Sequence, residues 1–97
     1  MTHVFISYSH KDSAFVDQLE TELNQRSIAT WRHKHNIPGG MTWYKSIVDG
    51  LDNAYAMIWV ISPNADESRW VLREQLYGDE RQIPRLLVLM QPHRVNL

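Results

Sequence analysis

Val4-Phe5-Ile6-Ser7-Tyr8-Ser9-His10-Lys11-Asp12 is an apolar run that breaks into a polar turn. His3 to Tyr8 reads as a buried strand, and Asp12 or Ser13 is placed to cap a helix after it. In that helix Phe15, Val16, Leu19 and Leu23 recur at spacings of three and four, so one face packs on a sheet. Arg26-Ser27 ends it. A strand, a polar turn and an amphipathic helix form the first unit of an alternating α/β chain.

The alternation continues outward from that unit. Ile28 to Arg32 reads as a second short strand, and His33 to Thr42 as a loop punctuated by Pro38-Gly39-Gly40. Trp43, Ile47, Val48 and Leu51 mark a second helix. Met57 to Ile61 is a third strand, apolar on both faces as an interior parallel strand requires, and Pro63 ends it. A third helix starts at Asp66 or Ser68 and runs to about Asp79. Leu86 to Met90 is a fourth strand, closed by Pro92. The order β-α-β-α-β-α-β predicts parallel strands joined by right-handed crossovers, with helices on both faces. There is no internal repeat and no low-complexity segment.

The third helix carries the residues most suggestive of chemistry. In Ser68-Arg69-Trp70-Val71-Leu72-Arg73-Glu74-Gln75-Leu76, residues three and four apart share a face, so Trp70, Glu74 and Tyr77 form one stripe. Leu72 and Leu76, with Val71 and Gln75 beside them, form a second stripe that suits a core. The expectation is a carboxylate between two aromatic rings on a face the core does not claim. Such a carboxylate loses hydration and its pKa rises, which suits a site for a cationic or ring-shaped ligand. An ordinary helix glutamate paired with Arg73 is the alternative.

Ser7, Tyr8 and Ser9 lie at the carboxyl end of the first strand, where open parallel sheets bind ligands. The N–H groups of the following helix start favour phosphate there. Alternatively the hydroxyls only cap the turn.

Four signatures stand in register: Phe5-Ile6-Ser7-Tyr8-Ser9, Ile37-Pro38-Gly39-Gly40, Ile61-Ser62-Pro63 and Trp70-x-x-x-Glu74. In this order and spacing, over roughly residues 3–91, the chain resembles a TIR domain of the bacterial NAD-consuming type. The resemblance implies a flavodoxin-like three-layer α/β/α fold with a parallel sheet in the order 2-1-3-4-5. Four strands are visible here, and the family's last strand and its flanking helices are absent. It implies that Glu74 is catalytic, that NAD⁺ is a substrate rather than a cofactor, and that the nicotinamide–ribose bond is cleaved to ADP-ribose or a cyclic product. It implies that Ser7, Tyr8, Ser9, Trp70 and Tyr77 line the substrate. Through Ile37, Pro38, Gly39 and Gly40, other TIR domains become partners, in a homo-oligomer or filament. It also implies a part in bacterial immune signalling, such as antiphage defence. A non-catalytic TIR–TIR scaffold is the alternative. Where the family often has an acidic residue after the second strand's aromatic, this chain has Arg32-His33-Lys34-His35, a basic departure suited to phosphate.

Composition narrows the classes. The 97 residues, 43% of them hydrophobic, support one domain over 1–97 with a modest core. A net charge of −1 with interspersed signs leaves no basic footprint for nucleic acid. No cysteine means no disulfide framework or thiol chemistry, which fits a cytoplasmic location. A strand at the third residue leaves no room for a signal peptide, and the apolar run Ala54 to Ile61 is too short to span a bilayer. Five histidines, with no His-x-x-x-His pair and no cysteine, give no metal-site expectation. Neither a nucleophilic triad nor a Gly-x-x-x-x-Gly-Lys loop is present. A response-regulator-like domain would need acidic residues at the end of the third strand, and Ile61-Ser62-Pro63 has none.

Overall fold

The computed structural model describes residues 2–33 and 40–90, with the backbone alone for 40–44. Strands β1 (His3–Ser7), β2 (Thr30–Arg32), β3 (Ala54–Ile61) and β4 (Arg85–Leu89) alternate with helices α1 (Ser13–Gln25), α2 (Gly40–Asp52), α3 (Pro63–Asp66) and α4 (Arg69–Glu80). The strands form one parallel sheet in the order β2-β1-β3-β4. This is a flavodoxin-like α/β arrangement, as the resemblance implies, and its strands are parallel, as the alternation predicts. The order reverses between β1 and β3, so the crevice for ligands lies at their carboxyl ends.

Strand alternation sorts the core into two layers. Val4, Ile6, Tyr8, Ile58 and Val60 face one side, where Val16 of α1 closes the layer. Phe5, Ala54 and Met57 face the other, against Ile47 and Leu51 of α2, with Trp31, Trp59, Trp70 and Tyr77 packed around them. Trp31 stacks on Phe5 with ring centroids 4.7 Å apart.

Several expected boundaries move for identifiable reasons. The second strand starts at Thr30 rather than Ile28, because Ser27 adopts a left-handed backbone (φ 64°) and the Ile28 N–H closes α1 on Leu23 O. The third strand extends back to Ala54. The expected loop to Thr42 ends earlier, since α2 begins at Gly40; Ile37, Pro38 and Gly39 lie outside the described residues. Pro63 does more than stop β3: it occupies the first turn of α3, capped by Ser62. Ser68 caps α4, with its Oγ accepting from the Val71 N–H at 3.2 Å. The fourth strand runs from Arg85 rather than Leu86.

Two features bear on function. With four strands in the order 2-1-3-4 the last one falls at the edge, and β4 is an edge strand whose apolar Leu86, Leu87 and Leu89 are exposed. And α4 is rotated relative to the expectation. Leu72 and Leu76 are 56% and 53% exposed, while Trp70 and Tyr77 pack on the core and Glu74 is buried. Nearness to the sheet decides this. Gly78 shares that inner side, and a Cβ there would sit 2.2 Å from Met57 Sδ, so the missing side chain lets α4 approach β3. The leucines are then left facing outward.

Candidate functional site

The carboxyl end of β1 and the first turns of α4 meet over one face of the sheet. Ser7 follows Phe5 by two residues and shares its side, beneath α4. Glu74 comes from above, one helical turn after Trp70. Only 2% of Glu74 is exposed. Its carboxyl is pushed up to about 8, chiefly because burial penalises the charged form; the nearby Ser7 hydroxyl pulls the other way. That hydroxyl is itself buried, with Glu74 as the group it leans toward and no closer partner among the described residues. A desolvated carboxylic acid therefore sits beside a weakly held hydroxyl, an arrangement more typical of a site than of a core.

A row of rings crosses the top of this site. The His33 imidazole lies against the Trp70 indole, with centroids 4.6 Å apart and planes at 33°. His10 stacks on His33 at 5.5 Å and 6°. Tyr8 meets His10 at 5.5 Å and 60°. The rings come from the β1–α1 turn, the end of β2 and α4, so three separate segments converge there.

The expected substrate residues divide. Ser7, Trp70 and Glu74 come together. Tyr8 turns to the opposite layer: its hydroxyl donates to His33 O at 3.0 Å and accepts from Arg32 Nε at 3.1 Å. Ser9 caps its own turn, Oγ accepting from the Lys11 N–H. The Asp12 N–H bonds Ser9 O and the Ser13 N–H bonds His10 O, so these donors are taken up within the turn rather than turned toward a phosphate. Tyr77 lies a turn beyond Glu74, toward the amino ends of the strands, with the Arg81 guanidinium 5.9 Å from its ring centre. Gly40 is the first residue of α2.

Arg32 also departs from expectation. It pairs with Asp17 at 2.7 Å and Glu20 at 3.2 Å, with its guanidinium 4.6 Å over the Tyr8 ring. Lys34 and His35 lie outside the described residues. Asp12, Ser62 and Asn64 meet at the crevice in a contact that the sequence did not reveal. Asp12 was a candidate helix cap, but its carboxyl makes no cap bond. Instead it accepts from Ser62 Oγ at 2.5 Å and Asn64 Nδ2 at 2.7 Å, tying the turns after β1 and β3 together. Among the described residues no cluster could hold a metal ion.

A family model described as "TIR domain" matches residues 4–95. The chain belongs to the TIR domain family. It is 36% identical to Toll-like receptor 6 of Bos taurus over 96 residues and 30% identical to human Toll-like receptor 6. Each match covers 93% of this chain but 12% of the receptor, so this TIR domain spans a small part of those relatives' length. Among solved structures it superposes on the TIR domain of the Toll-related receptor TRR-2 from Hydra magnipapillata. There the TM-score is 0.80 at 21% identity, over 99% of this chain and 76% of that one. It also superposes on the TIR domains of the activated Roq1 resistosome, with a TM-score of 0.76 at 20% identity, over 92% and 57% of the two chains. These identities establish a shared fold. Among the described residues no helix is long and apolar enough to cross a membrane.

Proposed function

We propose that this TIR domain cleaves the nicotinamide–ribose bond of NAD⁺ and that self-association switches it on. The observation that carries the proposal is Glu74: a buried carboxyl one turn behind Trp70, facing Ser7 at the carboxyl side of the sheet. The chemistry asks little else of the protein. When the C–N bond breaks, its electron pair stays on the nicotinamide nitrogen, and the already cationic ring leaves neutral without a general acid. The positive charge passes to the ribose as an oxocarbenium-like centre, and a fixed carboxylate stabilises it. Water then adds at that carbon and loses a proton to give ADP-ribose; an internal nucleophile gives a cyclic product instead.

The raised pKa fits this scheme. In the closed domain Glu74 is mostly protonated near neutral pH; a cationic ring beside it favours the carboxylate, so charge forms where the substrate is. Trp70 supplies a ring face, and Ser7 a hydroxyl for the sugar. The segment Ile37-Pro38-Gly39-Gly40 is the proposed contact between copies, and other TIR domains are the partners. NAD⁺ is the substrate and no further cofactor is required; the proposed setting is the cytoplasm, in immune signalling such as antiphage defence.

A second reading is a TIR–TIR scaffold without catalysis. The exposed leucines of β4 and the receptor relatives favour it. Incubation with NAD⁺ over a range of protein concentrations, with nicotinamide followed by chromatography, separates the two. Release that rises faster than protein concentration supports the enzyme. Assembly without release supports the scaffold.

A further inference from the structure

We propose that the His33 side chain is a built-in plug: it occupies, against Trp70, the stacking slot that a planar nitrogen heterocycle takes when a ligand binds. This rests on the Trp70–Glu74 site being the ligand site. His33 is flanked by two rings, His10 near-parallel at 5.5 Å and Trp70 at 4.6 Å with planes at 33°, and only 3% of it is exposed. Both separations fall in the range at which aromatic rings stack favourably. A slot with ring walls that holds one imidazole can hold one other flat ring, such as nicotinamide or adenine. The walls come from different segments, so their spacing does not depend on His33 itself.

The backbone beneath the plug is anchored. Tyr8 Oη donates to the His33 carbonyl, and the neighbouring Arg32 is clamped by Tyr8, Asp17 and Glu20. The exchange is therefore a rotamer change of one side chain, not a displacement of β2. Turning the imidazole outward uncovers the indole one helical turn ahead of Glu74. The plug makes the site self-occluding: a ligand must compete with His33 for Trp70. Where the outward rotamer holds about a tenth of the population, apparent affinity falls about tenfold below that of an unplugged site.

The test is calorimetric titration of nicotinamide and of NAD⁺ into the parent, His33→Ala and His33→Phe, with nicotinamide release measured on the same samples. His33→Ala is expected to bind about tenfold more tightly, and adding Trp70→Ala to it to return binding to the parent's level or below. His33→Phe, whose larger ring refills the slot and stacks more strongly on the indole, is expected to bind more weakly than the parent. Should His33→Ala not fold by circular dichroism, His33→Phe decides alone: weaker binding than the parent supports the plug, and equal or tighter binding overturns it. A folded His33→Ala that binds no tighter than the parent also overturns it. The two proposals separate cleanly. Tighter binding without nicotinamide release keeps the plug and removes the hydrolase; release by the parent with no gain in His33→Ala does the reverse.

Discussion

The indole of Trp70 is covered by the imidazole of His33, 4.6 Å between ring centres, and Glu74 lies one helical turn further along the same inner face of α4. The aromatic residue and the carboxyl that the sequence singles out are thus both present and both closed off. Under the proposed function this closed arrangement with a neutral acid is the resting state, and activity is expected to depend on assembly rather than to be constitutive.

Glu74 makes stability depend on pH. Its folded pKa is raised to about 8 from an ordinary 4.5. Below the lower value both states hold the proton, and stability is complete. Between the two values the unfolded chain ionises while the folded chain keeps its proton. Stability therefore falls as pH rises across that window, by on the order of a few kcal/mol. Urea unfolding at about pH 5 and about pH 8.5 measures it. Glu74→Gln is expected to flatten the difference; an equal slope in parent and variant would place the titration elsewhere.

Asp12 acts as a tie between the turns after β1 and β3. Asp12→Ala removes the acceptor for Ser62 Oγ and Asn64 Nδ2, fifty or more residues away in sequence, in a buried setting. The expected loss is on the order of 2–4 kcal/mol, read as a lower denaturant midpoint. Asn64→Ala, which removes one donor and leaves Ser62, is expected to cost less.

How much of this was legible in the sequence follows from which physical cause acts locally. The apolar run Val4-Phe5-Ile6 reads directly as a buried strand and the spacing of Val16 and Leu19 as a packed helix face, whereas the strand order comes from the family resemblance and not from the alternation. The Trp70–Glu74–Tyr77 stripe was legible as a stripe, but its direction was not. Leu72 and Leu76 are the more apolar pair, so hydrophobicity alone assigns them to the core. The close approach allowed by Gly78 and the indole's packing on the sheet reverse that order. Asp12 could not be read at all, because a short polar residue before a helix looks like a cap whatever its carboxyl touches. His33 stood out only as part of a basic run, and its meaning depends on two rings from distant segments.

The edge of the sheet carries its own consequence. Leu86, Leu87 and Leu89 are exposed on β4, with no charge within that run to discourage pairing with another strand. Light scattering is expected to show this chain associating as concentration rises, and Leu87→Lys to suppress it with little loss of stability. A monomer at high concentration for the unsubstituted chain would remove β4 as an association surface.

Gly78 tests whether α4 must lie this close. Gly78→Ala is expected to cost about 1–3 kcal/mol by overpacking against Met57, despite alanine's better helix propensity. It should also admit water to Glu74, seen as a smaller fall in stability between about pH 5 and about pH 8.5.

The most direct test of the catalytic assignment compares nicotinamide release from NAD⁺ by the parent and by Glu74→Gln, at matched and high protein concentration, with assembly checked on both. The substitution keeps the shape of the side chain and removes its charge. A fall on the order of 100- to 1,000-fold in rate, with assembly unchanged, is the expected result. Equal rates in parent and variant would contradict the role given to Glu74, and no release from the parent at any concentration would contradict the activity itself.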